Sequence, residues 1–445
     1  MYDNRDSIDF ANEPTGRLFR RMFLPTLISM VSMVVLNITD GAFVGHGAGS
    51  DALAAVNIVA PLFMLMGGIG MLFGIGSSVV ASIHLAKDNQ KAANINLTQG
   101  IVASVLCGVL MGAVIFCNQP AVCRLFGCSE TLVPLACSYM KWIALMAPFN
   151  LFGMTAMFMV RLDGSPKFAM AVNCGMALSN IILDYVLIFP CGMGLEGAAI
   201  ATAFSFSAGN LPVLWYLLRR SHNVQLYRLK ASLTSLQLSL RNVAYQVRIG
   251  ASAFLGEAAI AAVVIVGNYV FIHYLGEDGV AAYSVGCYCL PIVFMMGNAI
   301  VQSVQPIISY AHGAGNATRL KEARRIAVRT AGISGIVALL LLSLGARLIS
   351  ATFLPVGCNA YTLCCQGMPY FSVACLFVAI NIVLIGILQS TERATQATVF
   401  TLLRGFVFSI PCFLLLPLWL GTPGLWLALP VAEGLTTALM IASKR

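Results

Sequence analysis

Charge is what this sequence has least of. Only 10% of its 445 residues are Asp, Glu, Lys or Arg, and 59% are hydrophobic, against roughly 25% charged and about 45–50% apolar in soluble domains. That scarcity excludes a water-soluble surface. Most apolar runs exceed the roughly 20 residues needed to cross a hydrocarbon core of about 30 Å, so the solvent is a lipid bilayer. Clustered Asp-rich metal motifs are missing, which excludes a prenyl-transferring membrane enzyme. No basic groove interleaved with aromatics is present, so the net charge of +9 does not signal a nucleic-acid partner. No motif points to a cofactor. Fourteen cysteines are scattered through apolar runs, as at Cys107, Cys174, Cys287, Cys289, Cys375 and Cys412, without metal-ligand spacing. They read as small core residues. Cys123 and Cys128 lie near a predicted outer loop, where a pairing is open but the core reading is the stronger one. No small-residue cleavage site follows the first apolar run, which excludes a secretory signal. The polar segment 1–21, with Arg5, Arg17, Arg20 and Arg21, reads as a cytoplasmic tail.

Polar, Gly and Pro punctuation cuts the rest into twelve spans, beginning near Met22, Ala52, Ile95, Leu132, Phe168, Glu196, Arg248, Gly279, Ile326, Tyr361, Gln396 and Gly424. Of 26 Lys and Arg residues, all but Arg124, Lys141 and Arg347 fall in segments that alternate onto one side. These include Lys87/Lys91, Arg161/Lys167, the stretch from Arg219 to Arg248, Arg319 to Arg329, and Arg393/Arg404. Loops rich in Lys and Arg stay cytoplasmic, so both termini are placed there, in a cytoplasmic (inner) membrane.

The long polar connection 219–247 divides the chain into halves, 22–218 and 248–445. Shifting one half by 227 positions aligns them without a gap. Gly49 then meets Gly276, Asp51 meets Asp278, Gly70 meets Gly297, Ser82 meets Ser309 and Asn89 meets Asn316. Pro190 meets Pro417, Gly194 meets Gly421 and Gly197 meets Gly424. Glycines and prolines fix backbone geometry, so their coincidence marks a duplicated structure. Six helices per half make the repeats parallel, related by an axis along the membrane normal. The fold expected is therefore an all-α membrane protein with twelve transmembrane helices in two six-helix lobes. Such repeats rock around a central cavity, as a secondary transporter does.

An ionisable residue inside a span costs at least about 2.5–3.5 kcal/mol, so each needs a partner or a function. Asp40, Asp184 and Glu257 stand out, and the repeat places Gly267, Pro411 and Met30 opposite them. Asn180 precedes Asp184 by one helical turn, so the two share a face. Asn37 stands in the same relation to Asp40, and Thr202 adds a hydroxyl. Hard cations such as sodium take oxygen ligands, while a buried carboxylate can carry a proton instead. The residue types leave that choice open. The plainer alternative makes Asn37, Asn180 and Thr202 interhelical glue. Glu257 suits a second protonation site or a counter-charge for a cationic substrate. Asn298 and Gln302 at helical spacing, with Met66, Met154 and Met295, are candidates for lining a cavity that accepts varied apolar ligands. Pro25, Pro291 and Pro306 predict kinks.

Several segments resemble the multidrug and toxic compound extrusion (MATE) family: Asp40 to His46 with Ala52 to Val56 and Pro61; Arg161 to Lys167; Asn180 to Asp184 with Gly197 to Thr202; and Leu402 to Arg404 with Pro411 and Gly424 to Pro430. The resemblance runs along essentially the whole chain, closest to the MepA-like and DinF-like branches. It implies a V-shaped pair of lobes, no enzymatic activity, and export of amphipathic or cationic compounds in exchange for protons or sodium by a functional monomer. It also implies that Asp40, Asn180, Asp184 and Thr202 form a first-lobe cation or proton site. NorM-like members add an acid in the tenth span, where this chain has Asn381, so the resemblance leaves Glu257 to substrate or an accessory role. A lipid or oligosaccharide-lipid flippase of the same superfamily is the alternative. It would want cationic residues to meet pyrophosphate.

Overall fold

A computed structural model describes residues 8–126, 128, 130–229 and 232–443. Arg5 in the expected tail, with Lys444 and Arg445, lies outside these. The described residues are nearly all helical and contain no strand. The first half runs α1 (Thr15–Gly47), α2 (Ser50–Leu85), α3 (Gln90–Cys117), a short α4 (Gln119–Leu125), α5 (Val133–Leu162), α6 (Pro166–Ile188), α7 (Gly194–Gly209) and α8 (Leu211–Arg219). Then come α9 (Leu233–Gly313), α10 (Ala317–Leu344), α11 (Ala346–Phe353), α12 (Asn359–Ser390) and α13 (Ala394–Leu402). A π-helical turn (Leu403–Val407), α14 (Ser409–Leu420) and α15 (Thr422–Ala442) complete the chain.

Eleven of these stretches, among the described residues, are long and apolar enough to cross a membrane. One of them holds two spans. The 81 residues of α9 would reach about 120 Å as one rod, far beyond a bilayer core of about 30 Å. At Gly276 the backbone leaves the helix (φ 64°, ψ −157°) and the chain turns back. Phe271 stacks on Tyr283 at 4.4 Å, and the Tyr283 hydroxyl donates to the Val263 carbonyl at 3.3 Å. The twelve expected spans are therefore present in a multi-pass membrane protein.

The repeat is written into the turns. Gly49 and Gly276 both have positive φ (90° and 64°), as do Gly194 and Gly421 (55° and 61°). A third pair is Asp88 and Gly315 (56° and 67°), again 227 apart, with Asp in one copy standing where Gly stands in the other. L-residues seldom adopt this region, Asn and Asp more readily than most, so the coincidence reflects shared geometry. The alignment is not gapless, however. Gly164 and Glu392 (φ 85° and 58°) are 228 apart, so the register shifts by one residue at this turn.

Contacts group Met1–Phe254 with Ser309–Asn316 as one unit, and Leu255–Ile308 with Ala317–Arg445 as another. In the first unit, Ala52, Ala55, Val59, Leu62 and Met66 recur at alternating spacings of three and four along α2. They form a buried stripe against Tyr139, Met140, Ile143, Ala147 and Leu151 of α5. Small residues let the helix backbones approach where lipid supplies no hydrophobic drive. In the second unit, α12 packs against α10, which presents Ala323, Ala327, Ala331 and Gly335 one turn apart. Phe271, Tyr283, Phe371, Phe413 and Trp426 form its aromatic core.

Two segments expected as connections are structured. Residues 233–247 are the first turns of α9, held to α3 by Gln246 donating to the Asn96 carbonyl (3.0 Å) and by Gln99 donating to Ser239 (2.9 Å). The tail is docked as well: Ile8 and Phe10 are buried, and Phe10 stacks on Tyr310 at 6.1 Å. The loop 161–167 is fixed by Asp163, whose carboxylate accepts from the Tyr216 hydroxyl (2.5 Å) and from the backbone N–H groups of His222, Asn223 and Val224 (3.0, 2.6 and 3.1 Å).

Candidate functional site

The buried stripe of α6 runs Ala169, Val172, Met176, Ala177, Asn180, Asp184 and Ile188, so one apolar face turns polar for a single turn. Asn180 and Asp184 are fully buried there, and Asn180 donates from Nδ2 to the Thr202 hydroxyl of α7 at 3.4 Å. The neighbouring α1 packs along α6 and brings half-buried Asp40 within hydrogen-bonding range of Asp184. Both carboxyl oxygens of Asp184, Oδ1 of Asp40 and Oδ1 of Asn180 are buried and accept no hydrogen bond from the described residues. Tyr139 of α5, also buried, lies within electrostatic reach of both carboxyls.

Two carboxyls this close cannot both stay ionised in a low-dielectric site without a compensating cation. The arrangement therefore offers two stable fillings. Either the pair shares a proton, or a hard cation binds among the carboxylate, amide and hydroxyl oxygens. Asp40, Asn180, Asp184 and Thr202 are thus brought together, whereas Asn37 sits exposed on α1. Tyr139 was not among the expected residues. It comes from a different span, with no spacing relation to either acid.

The remaining expected residues divide between the two units. Met66 is locked in the first unit's core and half-buried Met154 packs against Gly70. In the second unit, Glu257, Asn298 and Met295 are half-buried on α9 and Gln302 is buried. Glu257 makes no hydrogen bond or ion pair among the described residues.

A fourth acid inside the spans escaped the sequence reasoning. Glu433 of α15 is buried and paired with Arg404 of the π-helical turn. Nε and Nη2 of Arg404 each reach Oε1 of Glu433 at 2.9 Å. Asn381 of α12 donates to Oε2 at 2.7 Å and accepts from the Thr437 hydroxyl at 2.8 Å. The guanidinium also lies over the Phe294 ring at 5.2 Å. Arg404 is therefore not the loop residue that the charge pattern suggested, and Arg161 too is buried at the end of α5. Arg161 lies in the last turn of α5, whereas Arg404 lies inside the span Ala394–Leu420, so counting it with a cytoplasmic segment misplaces it. Cys123 Sγ lies 3.8 Å from Cys137 Sγ, and no disulfide links cysteines among the described residues.

The sequence profile of the MatE family matches twice, at residues 25–186 and 253–414. The multidrug export protein MepA of Staphylococcus aureus is 25% identical over 430 residues, covering 96% of this chain and 92% of that protein. MepA of Staphylococcus saprophyticus is 25% identical over 419 residues, with 92% and 89% covered. Among solved structures, an outward-facing multidrug resistance MATE family transporter of the MOP superfamily superposes with a TM-score of 0.89 at 19% identity, covering 99% and 97% of the two chains. A MOP superfamily transporter from Pyrococcus furiosus, described as having a binding pocket of reverse polarity, gives the same TM-score, identity and coverage.

Proposed function

The chain belongs to the MatE family of transporters, and from that premise we propose that it exports amphipathic or cationic organic compounds across the cytoplasmic membrane in exchange for protons or sodium. The observation that carries this reading is the pair Asp40–Asp184, two carboxyls within hydrogen-bonding range of each other, of which both oxygens of Asp184 and Oδ1 of Asp40 accept no hydrogen bond from the described residues. A proton or a sodium ion entering the pair removes uncompensated buried charge and favours one arrangement of the transporter. Departure of the cation restores the charge and favours the other. Coupling requires this difference in affinity between states, because a ligand shifts an equilibrium only by what it gains in one state over the other. Asn180 and Thr202 supply neutral oxygens to the cation, and Glu257 faces substrate or plays an accessory part. The protein works as a monomer with both termini cytoplasmic and needs no cofactor.

The test is uptake of a fluorescent organic cation into inverted membrane vesicles, first under a proton gradient alone and then under a sodium gradient alone. Accumulation under one of them supports antiport. Equilibration without any gradient would make the protein a channel. A pyrophosphate-lipid flippase would need a cation free to meet its substrate, and the guanidinium of Arg404 is already neutralised by Glu433.

A further inference from the structure

The two halves hold chemically similar oxygen sets at positions the repeat does not relate. In the first half the set is a buried acid, an amide and a hydroxyl: Asp184, Asn180 and Thr202, with Asp40 alongside. The second half again has an acid, an amide and a hydroxyl, Glu433, Asn381 and Thr437, linked by bonds of 2.7 and 2.8 Å. Shifting Glu433 back by 227 positions gives Phe206, and Thr437 gives Asn210, so neither is inherited from the shared scaffold. One thing distinguishes the sets. The second already contains a cation, the guanidinium of Arg404, on the acid.

We propose that Arg404 is a tethered cation, holding the place on Glu433, Asn381 and Thr437 that an exchangeable ion takes on the first-half acids, so that the second half binds no ion of its own. The contrast rests on the assignment of cation binding to Asp40 and Asp184. Local structure supports the inference independently. The α6 helix runs unbroken through its buried turn, whereas its counterpart opens into the π-helical turn Leu403–Val407, the element that carries Arg404. Single π-helical turns collect at functional sites because they redirect one side chain without ending the helix. The guanidinium is fixed from both sides, by Glu433 and by the Phe294 ring. A cavity lined by Gly256, Ala259, Val263, Leu290 and Phe294 lies beside it, and added Cβ atoms at Gly256 would meet open space. Removing the guanidinium therefore leaves room beside an acid that already has an amide and a hydroxyl at hand.

The experiment uses the full chain purified in detergent, with thermal unfolding followed while sodium replaces N-methylglucamine at constant ionic strength. Wild type and Asp184→Asn are compared with Asp184→Asn/Arg404→Gln, and with that double variant carrying Glu433→Gln in addition. Asp184→Asn alone reports on the first-half site: a sodium or proton response that persists there overturns the first-half assignment and leaves the second-half measurement readable. The double variant is expected to gain a saturable rise in Tm of about 3 °C with sodium, absent when Glu433 is also replaced. Arg404→Ala provides a second measurement. Millimolar guanidinium should restore its stability, with no such effect on wild type. The proposal is overturned if neither sodium nor guanidinium stabilises the Arg404 variants, or if the stabilisation survives loss of Glu433.

Discussion

Asp40 and Asp184 stand on different helices with their carboxyls within hydrogen-bonding range, and Asp184 accepts no hydrogen bond from any described donor. Such a pair is stable only when a cation or a proton joins it. Asp184→Asn and Asp40→Asn should each lower gradient-driven efflux at least about tenfold, the equivalent of about 1.4 kcal/mol in cation binding. Efflux of a fluorescent cation from cells, at matched membrane levels of protein, measures this. Wild-type rates in both variants would remove the pair from the mechanism.

Tyr139 is buried within reach of both carboxyls. Its hydroxyl dipole lies in the field of the pair without hydrogen-bonding Asp184, so Tyr139→Phe should weaken apparent affinity for the driving cation by about 2–5-fold, less than the tenfold that about 1.4 kcal/mol would give. The maximal rate should be preserved. Initial rates at graded cation concentration separate the two, and a change confined to the maximal rate would contradict the assignment.

The ion pair Arg404–Glu433 is buried at 7% and 3% exposure, deep enough that losing one member strands the other. Glu433→Gln should cost about 3–5 kcal/mol of stability, while Arg404→Met combined with Glu433→Leu should recover most of it. Thermal unfolding of the single and double variants forms the test. Additive losses would show that the two side chains do not act as a pair.

Gly315 has φ 67° and nothing within 4 Å of an added Cβ, so backbone preference alone decides what fits. Gly315→Asp should be tolerated, because Asp88 adopts φ 56° at the corresponding turn. Gly315→Val should lose about 1–2 kcal/mol or more. Equal unfolding temperatures for the two variants would contradict this.

Much of the fold was legible because duplication repeats its punctuation. Gly49/Gly276 and Gly194/Gly421 mark turns that only certain residues make, and sequence shows them directly. The pair Asp88/Gly315 was hidden because the residue types differ while the backbone does not. The acids Asp40 and Asp184 were legible as charges in apolar runs. Their meeting, and the approach of Tyr139, depend on helix packing that no spacing encodes. Glu433 escaped notice because its counter-charge, Arg404, lies 29 residues away on another element. From the sequence, Arg404 looks like a cation at the water boundary. The docking of Ile8 and Phe10 was invisible for a similar reason, since two apolar side chains in a polar tail carry no period.

The turn shared by Asp88 and Gly315 separates two kinds of information in the duplicated chain. The left-handed bend is common to both copies although the side chains differ. Neither Asp184 nor Glu433 has a counterpart in the sister copy. The two copies are thus alike in how they bend and differ in the charge they carry.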